Sequence, residues 1–393
     1  MTGIVELETR HTSGVYPKRD VPLVRGRGAR VWDAEGREFI DCAAGHGVAA
    51  LGHGHPRVVE AIQRQAEVLI TCPETYPNDR RAEYCARLSS LLPGTMERLF
   101  LCNSGAEAVE AALKFARLST GRSKIVAAKR GFHGRTFGAL SATWERKYRA
   151  PFEPLVPGFE HMAFDDLEAA RAAIDEETAC VLVEIVQGEG GVHPGSTLFF
   201  QGLRRLCDER GALLVIDEVQ TGFGRTGRLF ACEHHQLEPD LICLGKAIGG
   251  GLPMGAVGIG SRVAELPVGA HGTTFGGGPL VCAAALAVLD VLEEERLAER
   301  ASVVGAWLLD RLRELDYPLV REVRGLGLMV AIELRQRATP FLKQLLAQGV
   351  LALPAGPTGI RLLPPLVITR DELDVAVDTL GGLLSRARME AGR

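Results

Sequence analysis

The chain lacks the cysteine and histidine patterns of a disulfide scaffold or a metal site. Its nine cysteines are odd in number, scattered and never spaced CxxC, which favours reduced thiols in a cytoplasm. The histidines of GHGVAALGHGH, which are His46, His53 and His55, have no cluster of carboxylates or cysteines beside them. We therefore expect a cytoplasmic protein with neither a disulfide framework nor a bound metal.

Aromatic residues, excess charge and long apolar runs are also scarce. Aromatics make up 6% of the chain and the formal net charge is −4, which argues against nucleic acid or an anionic membrane as the main partner. The longest apolar run, residues 280–292, is interrupted by Asp290 and is too short to span a bilayer. The polar start, MTGIVELETRHTSG, has no apolar stretch of the signal-peptide type. We expect a soluble protein.

Glycine is abundant, with 46 residues, and helical patterns alternate with short apolar runs such as KIVAAKR, CVLVEIVQ and ALLVIDE. Such runs between helices are typical of a mostly parallel sheet that is covered on both faces. We predict an α/β protein with a large domain over residues 51–289 and a smaller C-terminal α+β domain over 290–393. Residues 1–50 are predicted to pack as an N-terminal segment near the smaller domain.

Two residues at the ends of apolar runs carry the chemistry. Lys246, in LICLGKAIGGG, lies between an apolar run and a glycine-rich turn, where loss of water would lower its pKa as a Schiff-base lysine requires. A lone lysine in a loop is more often simply exposed. Asp217, however, ends the run ALLVIDE, and its carboxylate could pair with a protonated pyridine nitrogen and so make the ring an electron sink.

Two nucleotide-binding alternatives use the same segment. LLVIDE resembles a Walker B strand, but GxxxxGK[ST] does not occur in the chain, so a P-loop ATPase is poorly supported. GFGRTG, at residues 222–227, matches GxGxxG, yet it lies four residues beyond the strand and opens no evident helix. A nicotinamide site is therefore disfavoured.

A small-residue turn and an aromatic residue complete the candidate site. NSGAEA, at residues 103–108, joins a strand to a helix, so the amides near Gly105 and Ala106 should face outward at a positive helix end that suits phosphate. Phe132 lies between glycines after the run KIVAAKR, where its ring could stack on a flat cofactor. In isolation such a phenylalanine would more often belong to the core.

The segments NSGAEA, GFHGRT, EIVQGEGG, IDEVQTGFGRTG, GKAIGGG and HGTTFGG occur in this order. Together they resemble the class III (ω-amino acid) aminotransferases over about residues 15–385. Within the class, the chain is similar to the acetylornithine branch. SGVYPKRD, VRGRGARVWDAEG and ALKFARLSTGR bring it closer to transaminases that act on semialdehydes tethered to an amino-group carrier protein. The resemblance implies a type I pyridoxal-phosphate fold and a homodimer with a shared active site.

The resemblance also implies the cofactor contacts. Lys246 corresponds to the Schiff-base lysine, Asp217 to the partner of the pyridine nitrogen, and Gln220 to the residue that reaches the 3′-oxygen. Phe132 would stack on the ring, and Thr274, contributed by the partner subunit, would complete the phosphate site. The other implied cofactor-binding positions are Gly105, Ala106, Glu218 and Val219. Ala106 and Gly278 depart from the family, which usually has threonine and asparagine there.

The resemblance also implies a different arginine for the carboxylate of each of the two substrates. Arg135, with Thr273 beside it, would meet the carboxylate of the ω-amino substrate. Arg361, in IRLLPPLV, would hold the α-carboxylate of glutamate, and Glu189 would neutralise it. A decarboxylase or racemase on the same cofactor is disfavoured, since only a two-substrate enzyme needs a switchable carboxylate site. A non-catalytic binding protein is disfavoured by the intact pair Lys246 and Asp217.

The expected reaction is ping-pong transamination between glutamate/2-oxoglutarate and a terminal amine or semialdehyde of lysine or arginine biosynthesis. We favour a substrate bound to an acidic carrier protein, such as aminoadipate semialdehyde linked to the carrier. The alternative is N2-acetylornithine. Basic residues that could meet an acidic carrier at the pocket mouth are Lys18, Arg19, Arg80, Arg81, Arg146, Lys147 and Arg149.

Overall fold

The computed structural model describes residues 3–315 and 317–391. The helices are α1 (Ile4–His11), α2 (Ala44–Gly47), α3 (Pro56–Ala66), α4 (Asp79–Leu91), α5 (Gly105–Thr120), α6 (Phe137–Ala142), α7 (Arg146–Arg149), α8 (Leu167–Ala173), α9 (Thr197–Arg210), α10 (Pro279–Glu294), α11 (Leu297–Arg313), α12 (Thr339–Ala347) and α13 (Arg370–Ala391). Short 3₁₀ turns cover Ala150–Phe152, Ala231–His235 and Lys246–Gly249.

The strands are short and belong to four sheets. They are β1 (Leu23–Arg27), β2 (Arg30–Asp33), β3 (Glu38–Asp41), β4 (Arg98–Cys102), β5 (Lys124–Ala128), β6 (Phe159–Met162), β7 (Thr178–Glu184), β8 (Val186–Gln187), β9 (His193–Pro194), β10 (Leu213–Asp217), β11 (Leu241–Leu244), β12 (Gly255–Ile259), β13 (Val320–Leu326), β14 (Met329–Leu334), β15 (Val350–Leu351), β16 (Leu353–Ala355) and β17 (Gly359–Leu362).

The central sheet has the strand order β4-β12-β11-β10-β7-β5-β6. Every pairing is parallel except the two made by β12, which runs opposite to both of its neighbours. All residues of β7, β10 and β11 are buried, because these apolar runs have helices or loops on both faces. The predicted α/β fold with a mostly parallel central sheet is therefore confirmed.

The carboxyl ends of the parallel strands gather the polar side chains. In the register of β10 with its neighbours, Asp217 lies opposite Glu184 on β7 and opposite Cys243 on β11. The turn that holds Lys246 follows β11 directly, and α5 follows β4. In open parallel sheets this edge is where ligands bind, so the topology alone places these groups near one another.

Two smaller sheets include strands from the C-terminal part of the chain. The strands β13-β14-β17-β16 form an antiparallel sheet, and β1-β2-β3 continue through β3 onto β15, near the C-terminal end. The N-terminal segment thus pairs with a strand from the second half of the chain. Helix α10 runs through residues 289 and 290 without a break, and the division into domains at that point stays a prediction. Across the described ranges, no helix is long and apolar enough to cross a membrane.

Candidate active site

Lys246 lies on a strained turn at the carboxyl end of β11. Its φ of 46° is in the left-handed region that non-glycine residues rarely adopt. Strain of this kind persists only where the surrounding fold fixes the backbone, and it clusters at functional sites. Burial lowers the pKa of the amine, although the carboxylates of Glu189 and Asp217 act in the opposite direction. The turn therefore holds an amine that loses its proton more readily than an exposed lysine does.

The amino end of α5 lies directly beside this turn. Ser104 caps the helix, and its hydroxyl accepts a hydrogen bond from the Glu107 amide at 3.2 Å. A Cβ at Gly105 would lie 2.5 Å from Val219 Cγ1, and a Cβ at Gly245 would lie 3.1 Å from the Gly105 backbone. Glycine at both positions allows the start of α5, the turn before Lys246 and the turn that carries Val219 to approach one another. The unpaired amides and the dipole of α5 make this a site where a phosphate would fit.

A buried cluster of two carboxylates and a histidine lies at the ends of β7 and β10. Asp217 Oδ2 is 2.8 Å from His133 Nδ1, and Asp217 Oδ1 accepts a hydrogen bond from Val219 N at 3.0 Å. Glu184 accepts a hydrogen bond from Phe132 N at 3.2 Å. Burial acts to lower the pKa of His133, but the hydrogen bond to Asp217 and the nearby carboxylate charges outweigh it and raise the pKa. A carboxylate held in this way suits a cationic ring nitrogen.

Glu184 should make the stability of the cofactor-free protein depend on pH. Burial raises its pKa from 4.5 to about 7, against the smaller opposing effect of His133. The folded protein thus holds this proton more tightly than the unfolded chain. Its contribution is complete below pH 4.5 and is lost as the pH rises through about 7.

In the wild type, we expect the free energy of unfolding to fall by about 1–3 kcal/mol between about pH 5 and about pH 8 because of Glu184. Glu184→Gln should remove most of this fall. Urea unfolding of the cofactor-free wild type and variant at both pH values measures it. An unchanged pH dependence in the variant would contradict the assignment to Glu184.

Phe132 and Arg135 form an aromatic–cation stack at the mouth of the site. The guanidinium of Arg135 lies 3.7 Å from the centroid of the Tyr148 ring and 5.5 Å from that of Phe132. The Phe132 and Tyr148 rings meet edge to face with centroids 5.9 Å apart. Arg135 is exposed, so the stack orients a guanidinium that remains open to an incoming anion.

On the other side of the site, the buried Arg361 forms an ion pair with the partly exposed Glu189. Arg361, on β17, is fully buried and donates from Nη2 to Glu189 Oε1 at 2.6 Å and from Nη1 to Gln220 Oε1 at 3.1 Å. Its Nε, also buried, has no hydrogen-bond partner among the described residues. Arg361 holds the pKa of Glu189 below its usual range despite the opposing effect of burial. The pair is a carboxylate-binding guanidinium already occupied by an internal carboxylate.

The entrance is a cavity of about 450 Å³ between the Phe132 segment and the β13–β17 sheet. Its wall includes Glu189 deep in the site and the exposed cations Lys147 and Arg321. Arg324, also in the wall, is buried and donates from Nε to the Gly191 carbonyl at 2.9 Å, so it fixes the loop that carries Glu189. The cavity has room for a chain longer than glutamate.

The remaining predicted cofactor and substrate positions are Glu218, Thr273 and Thr274. The Glu218 carboxylate is engaged by Thr221 and by Cys232 N, so it holds the turn after β10. Thr273 accepts a hydrogen bond from Asn103 Nδ2 at 2.9 Å in the same chain, and Thr274 is exposed on the loop before α10. The described chain brings neither threonine to Arg135 by a hydrogen bond. The cross-subunit role of Thr274 stays a prediction.

The prediction that Arg81 is an exposed cation at the pocket mouth is wrong. Arg81 is buried and donates to the carbonyl oxygens of Gly277 at 2.9 Å and of Cys72 at 2.7 Å. These contacts tie α4 to the loop before α10 and leave no guanidinium at the surface. Lys147, by contrast, is exposed and lines the cavity.

Several polar residues near the site were not expected. His133, next to Phe132, and Glu184 lie against Asp217, and Asn103 joins Thr273 to the Glu107 carboxylate. Glu184 could have been found as the carboxylate that interrupts the apolar run CVLVEIVQ, because β7 ends at this residue and neighbouring parallel strands end at one edge of the sheet. His53 pairs with Asp41 at 2.7 Å, and across residues 3–315 and 317–391 no group of histidine, cysteine and acidic residues has the arrangement of a metal site.

The comparisons with known proteins agree with this geometry. Residues 14–384 match the model of the family described as aminotransferase class III. The chain is 52% identical over 374 residues, 94% of its length and 87% of the other, to a [LysW]-aminoadipate semialdehyde transaminase of Deinococcus radiodurans. It is 48% identical over 382 residues, 96% of its length and 98% of the other, to an acetylornithine aminotransferase of Methanopyrus kandleri.

Among solved structures, an ornithine aminotransferase of Toxoplasma gondii described as having partial occupancy of PLP at its active site aligns with a TM-score of 0.94. It is 34% identical, and the alignment covers 100% of this chain and 97% of that one. The fold and the lysine–aspartate–helix arrangement define an enzyme that transfers amino groups. The chain belongs to the class III aminotransferase family, whose members depend on pyridoxal phosphate.

Proposed function

We propose that this aminotransferase binds pyridoxal 5′-phosphate and moves an amino group between glutamate/2-oxoglutarate and a terminal amine or semialdehyde. The observation that carries the proposal is the ion pair of the buried Arg361 with the partly exposed Glu189, beside Lys246, since an amino-transfer site with two unlike substrates needs a switchable carboxylate position. The related enzymes named above support the substrate class, because their names include semialdehyde and N-acetylated ω-amino compounds.

The residues present fit the cofactor at each of its functional groups. The amides at the start of α5, around Gly105 and Ala106, would hold the phosphate, and Val219 and the Phe132 ring would enclose the pyridine ring. Asp217 would pair with the ring nitrogen, and Gln220 would reach the 3′-oxygen. When bound, the cofactor supplies an aldehyde that accepts the amino group and a ring that withdraws electrons from the substrate carbon.

Lys246 then has two tasks, attachment of the cofactor and movement of a proton at Nζ. Burial lowers the pKa of Lys246, so its amine gives up its proton more readily than an ordinary lysine does, as a base in proton transfer requires. Asp217 would keep the ring nitrogen of the bound cofactor protonated, and the hydrogen bond with His133 Nδ1 holds that carboxylate in place. Arg361 positions the α-carboxylate of glutamate, while Arg135 positions the carboxylate of the longer substrate.

A second subunit completes the proposal. The apolar side chains of Ile70 and Tyr76 are exposed on the loop between α3 and α4, and Thr274 and Phe275 are exposed on the loop before α10. Exposed apolar groups next to a catalytic cleft are typical of a subunit interface. We therefore propose a homodimer in which Thr274 reaches the phosphate position of the other subunit.

For the second substrate we favour a semialdehyde or amine linked to an acidic carrier protein over free N2-acetylornithine. Support comes from the cavity mouth, where Lys147 and Arg321 are exposed and could attract a negatively charged partner. Because the formal net charge is −4, this attraction must be local, and it should act mainly on the rate of encounter.

The test compares kcat/KM for the carrier-linked amine and for N2-acetylornithine at low and high salt. We expect the carrier-linked substrate to be preferred and its kcat/KM to fall as salt rises. Arg321→Glu should lower that value about tenfold at low salt. Arg205→Glu, the same charge change on the exposed face of α9, should not. Preference for N2-acetylornithine without salt dependence would reject the carrier and leave the aminotransferase assignment intact.

A further inference from the structure

Residues 131–144 form a closed loop, the arginine loop, that carries Arg135. Its ends meet where the Trp144 amide donates a hydrogen bond to the Gly131 carbonyl at 2.9 Å. That contact holds the base of the loop, beside the cofactor position, but not its far half, which contains Arg135 and the short helix α6. The position of the Arg135 guanidinium therefore depends on what holds the far half.

The far half of the arginine loop packs along one face of α5. Gly134, with a φ of 140°, lies so close to that helix that a Cβ there would be 2.9 Å from the Ala106 Cβ. One turn further along α5, Glu110 Oε1 accepts hydrogen bonds from Gly138 N at 2.8 Å and from the next amide at 3.1 Å. Residues one turn apart lie on the same face of a helix, so Arg135 is held between two contacts with that face.

Glu110 supplies an acceptor that α6 does not find beside it in the sequence. Thr136, the residue before α6, makes no capping hydrogen bond in the described structure. The first amides of a helix have no partner within the helix, so the Glu110 carboxylate fixes the place where α6 begins. Gly138 is part of the arrangement, because a Cβ at this position would overlap Glu110 Oε2 and push the carboxylate away.

Helix α5 also begins at the proposed phosphate position, around Gly105 and Ala106. The same helix therefore carries the cradle that would fix the cofactor and the carboxylate that fixes the loop of Arg135. In the proposed function, Arg135 holds the carboxylate at the far end of the ω-amino substrate. The distance from the cofactor to Arg135 then decides which length of substrate places its amine at the reacting position.

We propose that Glu110 is a positioning residue that sets the reach of Arg135 and, through it, the chain length of the ω-amino substrate. The inference rests on the proposed function of Arg135. Glu110 does not touch the substrate, since its carboxylate is engaged by the amides at the start of α6. Glutamate keeps Arg361, which would hold the carboxylate beside its reacting carbon, and so depends less on this contact.

The experiment measures kcat/KM of the holoenzyme for N2-acetyl-2,4-diaminobutyrate, N2-acetylornithine and N2-acetyllysine, which differ by one methylene from one to the next. A selective site distinguishes one methylene by about 10- to 200-fold, and we expect such a preference in the wild type. Glu110→Ala should lower kcat/KM for the preferred substrate about ten- to hundredfold, chiefly through KM, and reduce the preference to less than about fivefold. The glutamate half-reaction, measured by single turnover, should change by less than about threefold.

Three further variants separate positioning from support of the fold. Glu110→Gln keeps a carbonyl oxygen for the two amides and should restore most of the rate and of the length preference. Gly138→Ala should reproduce Glu110→Ala, and the two substitutions together should be no worse than either alone, because both remove the same contact. Glu209→Ala, which removes an exposed carboxylate on α9, should behave like the wild type.

The length preference is the deciding result. A wild type without a preference, a preference that Glu110→Ala leaves unchanged, or additive effects of Glu110→Ala and Gly138→Ala would each overturn the role of Glu110. Failure of the proposed function would look different, because Arg135→Ala would then leave kcat/KM for all of the N-acetylated amines near the wild-type value.

Discussion

Replacing Lys246 by alanine should leave the cofactor bound and lower amino transfer from glutamate by several orders of magnitude. The phosphate cradle at α5 and the Asp217 carboxylate remain intact in this variant, so most of the cofactor's contacts are kept. What is lost is the amine with a lowered pKa, which serves both as the attachment point and as the proton carrier. The measurement is a single turnover with glutamate, in which the amount of 2-oxoglutarate formed is recorded over time.

Two controls separate the roles of the amine. Borohydride should reduce the Schiff base of the wild type, which bleaches the yellow colour and leaves the cofactor covalently attached to the chain, and it should attach no cofactor to Lys246→Ala. Lys129→Ala, an exposed lysine after β5, should behave like the wild type in both assays. Asp217→Ala should differ, because it keeps attachment and weakens only the electron withdrawal by the ring. Near wild-type formation of 2-oxoglutarate by Lys246→Ala would remove this lysine from the mechanism.

The sequence was informative where chemistry coincides with the end of an apolar run. Lys246 and Asp217 could be singled out because each follows a run that must be a buried strand, and buried parallel strands end at one edge. The α/β class followed from the same runs. The antiparallel direction of β12 could not be read this way, since its residues are as fully buried as those of β10 and β11, which run parallel to each other.

Contacts across long separations were the part that the sequence could not supply. His133 reaches Asp217 and Arg81 reaches the Gly277 carbonyl only because the folded chain brings distant segments together. Arg81 was therefore mistaken for a surface cation, since charge alone does not tell an exposed arginine from one bound to carbonyls. The left-handed backbone at His46 could not be read from the residue types either.

The Arg361–Glu189 pair was predicted only through the family resemblance. No local pattern in IRLLPPLV marks its arginine as a ligand for an anion. In the structure the side chain is fully buried on β17, where burial of an arginine without a partner would be very unfavourable. The contacts with Glu189 and Gln220 compensate for that burial, and the same contacts make the guanidinium available for exchange with a substrate carboxylate.

Arg361→Ala should damage the glutamate half-reaction far more than the half-reaction of the ω-amine. Glutamate presents its α-carboxylate beside the reacting carbon, where a bidentate guanidinium contact both binds and orients it. Loss of a charged, desolvated pair of this kind costs about 2–5 kcal/mol, so kcat/KM for glutamate should fall about a hundred- to thousandfold. The ω-amine carries its carboxylate at the far end, near Arg135, and its kcat/KM should fall less than about tenfold by the same reasoning.

The variant also leaves Glu189 without its partner, which can lower stability by about 3–5 kcal/mol. Arg361→Ala combined with Glu189→Gln removes that unpaired charge and should recover stability while the glutamate half-reaction stays impaired. Arg361→Lys keeps the charge but not the planar fork, and should fall between the wild type and alanine in binding glutamate. Both half-reactions are measured by single turnover at a temperature where each variant is fully folded. Equal losses in the two half-reactions of the doubly substituted protein would mean that Arg361 supports the fold and does not select a carboxylate.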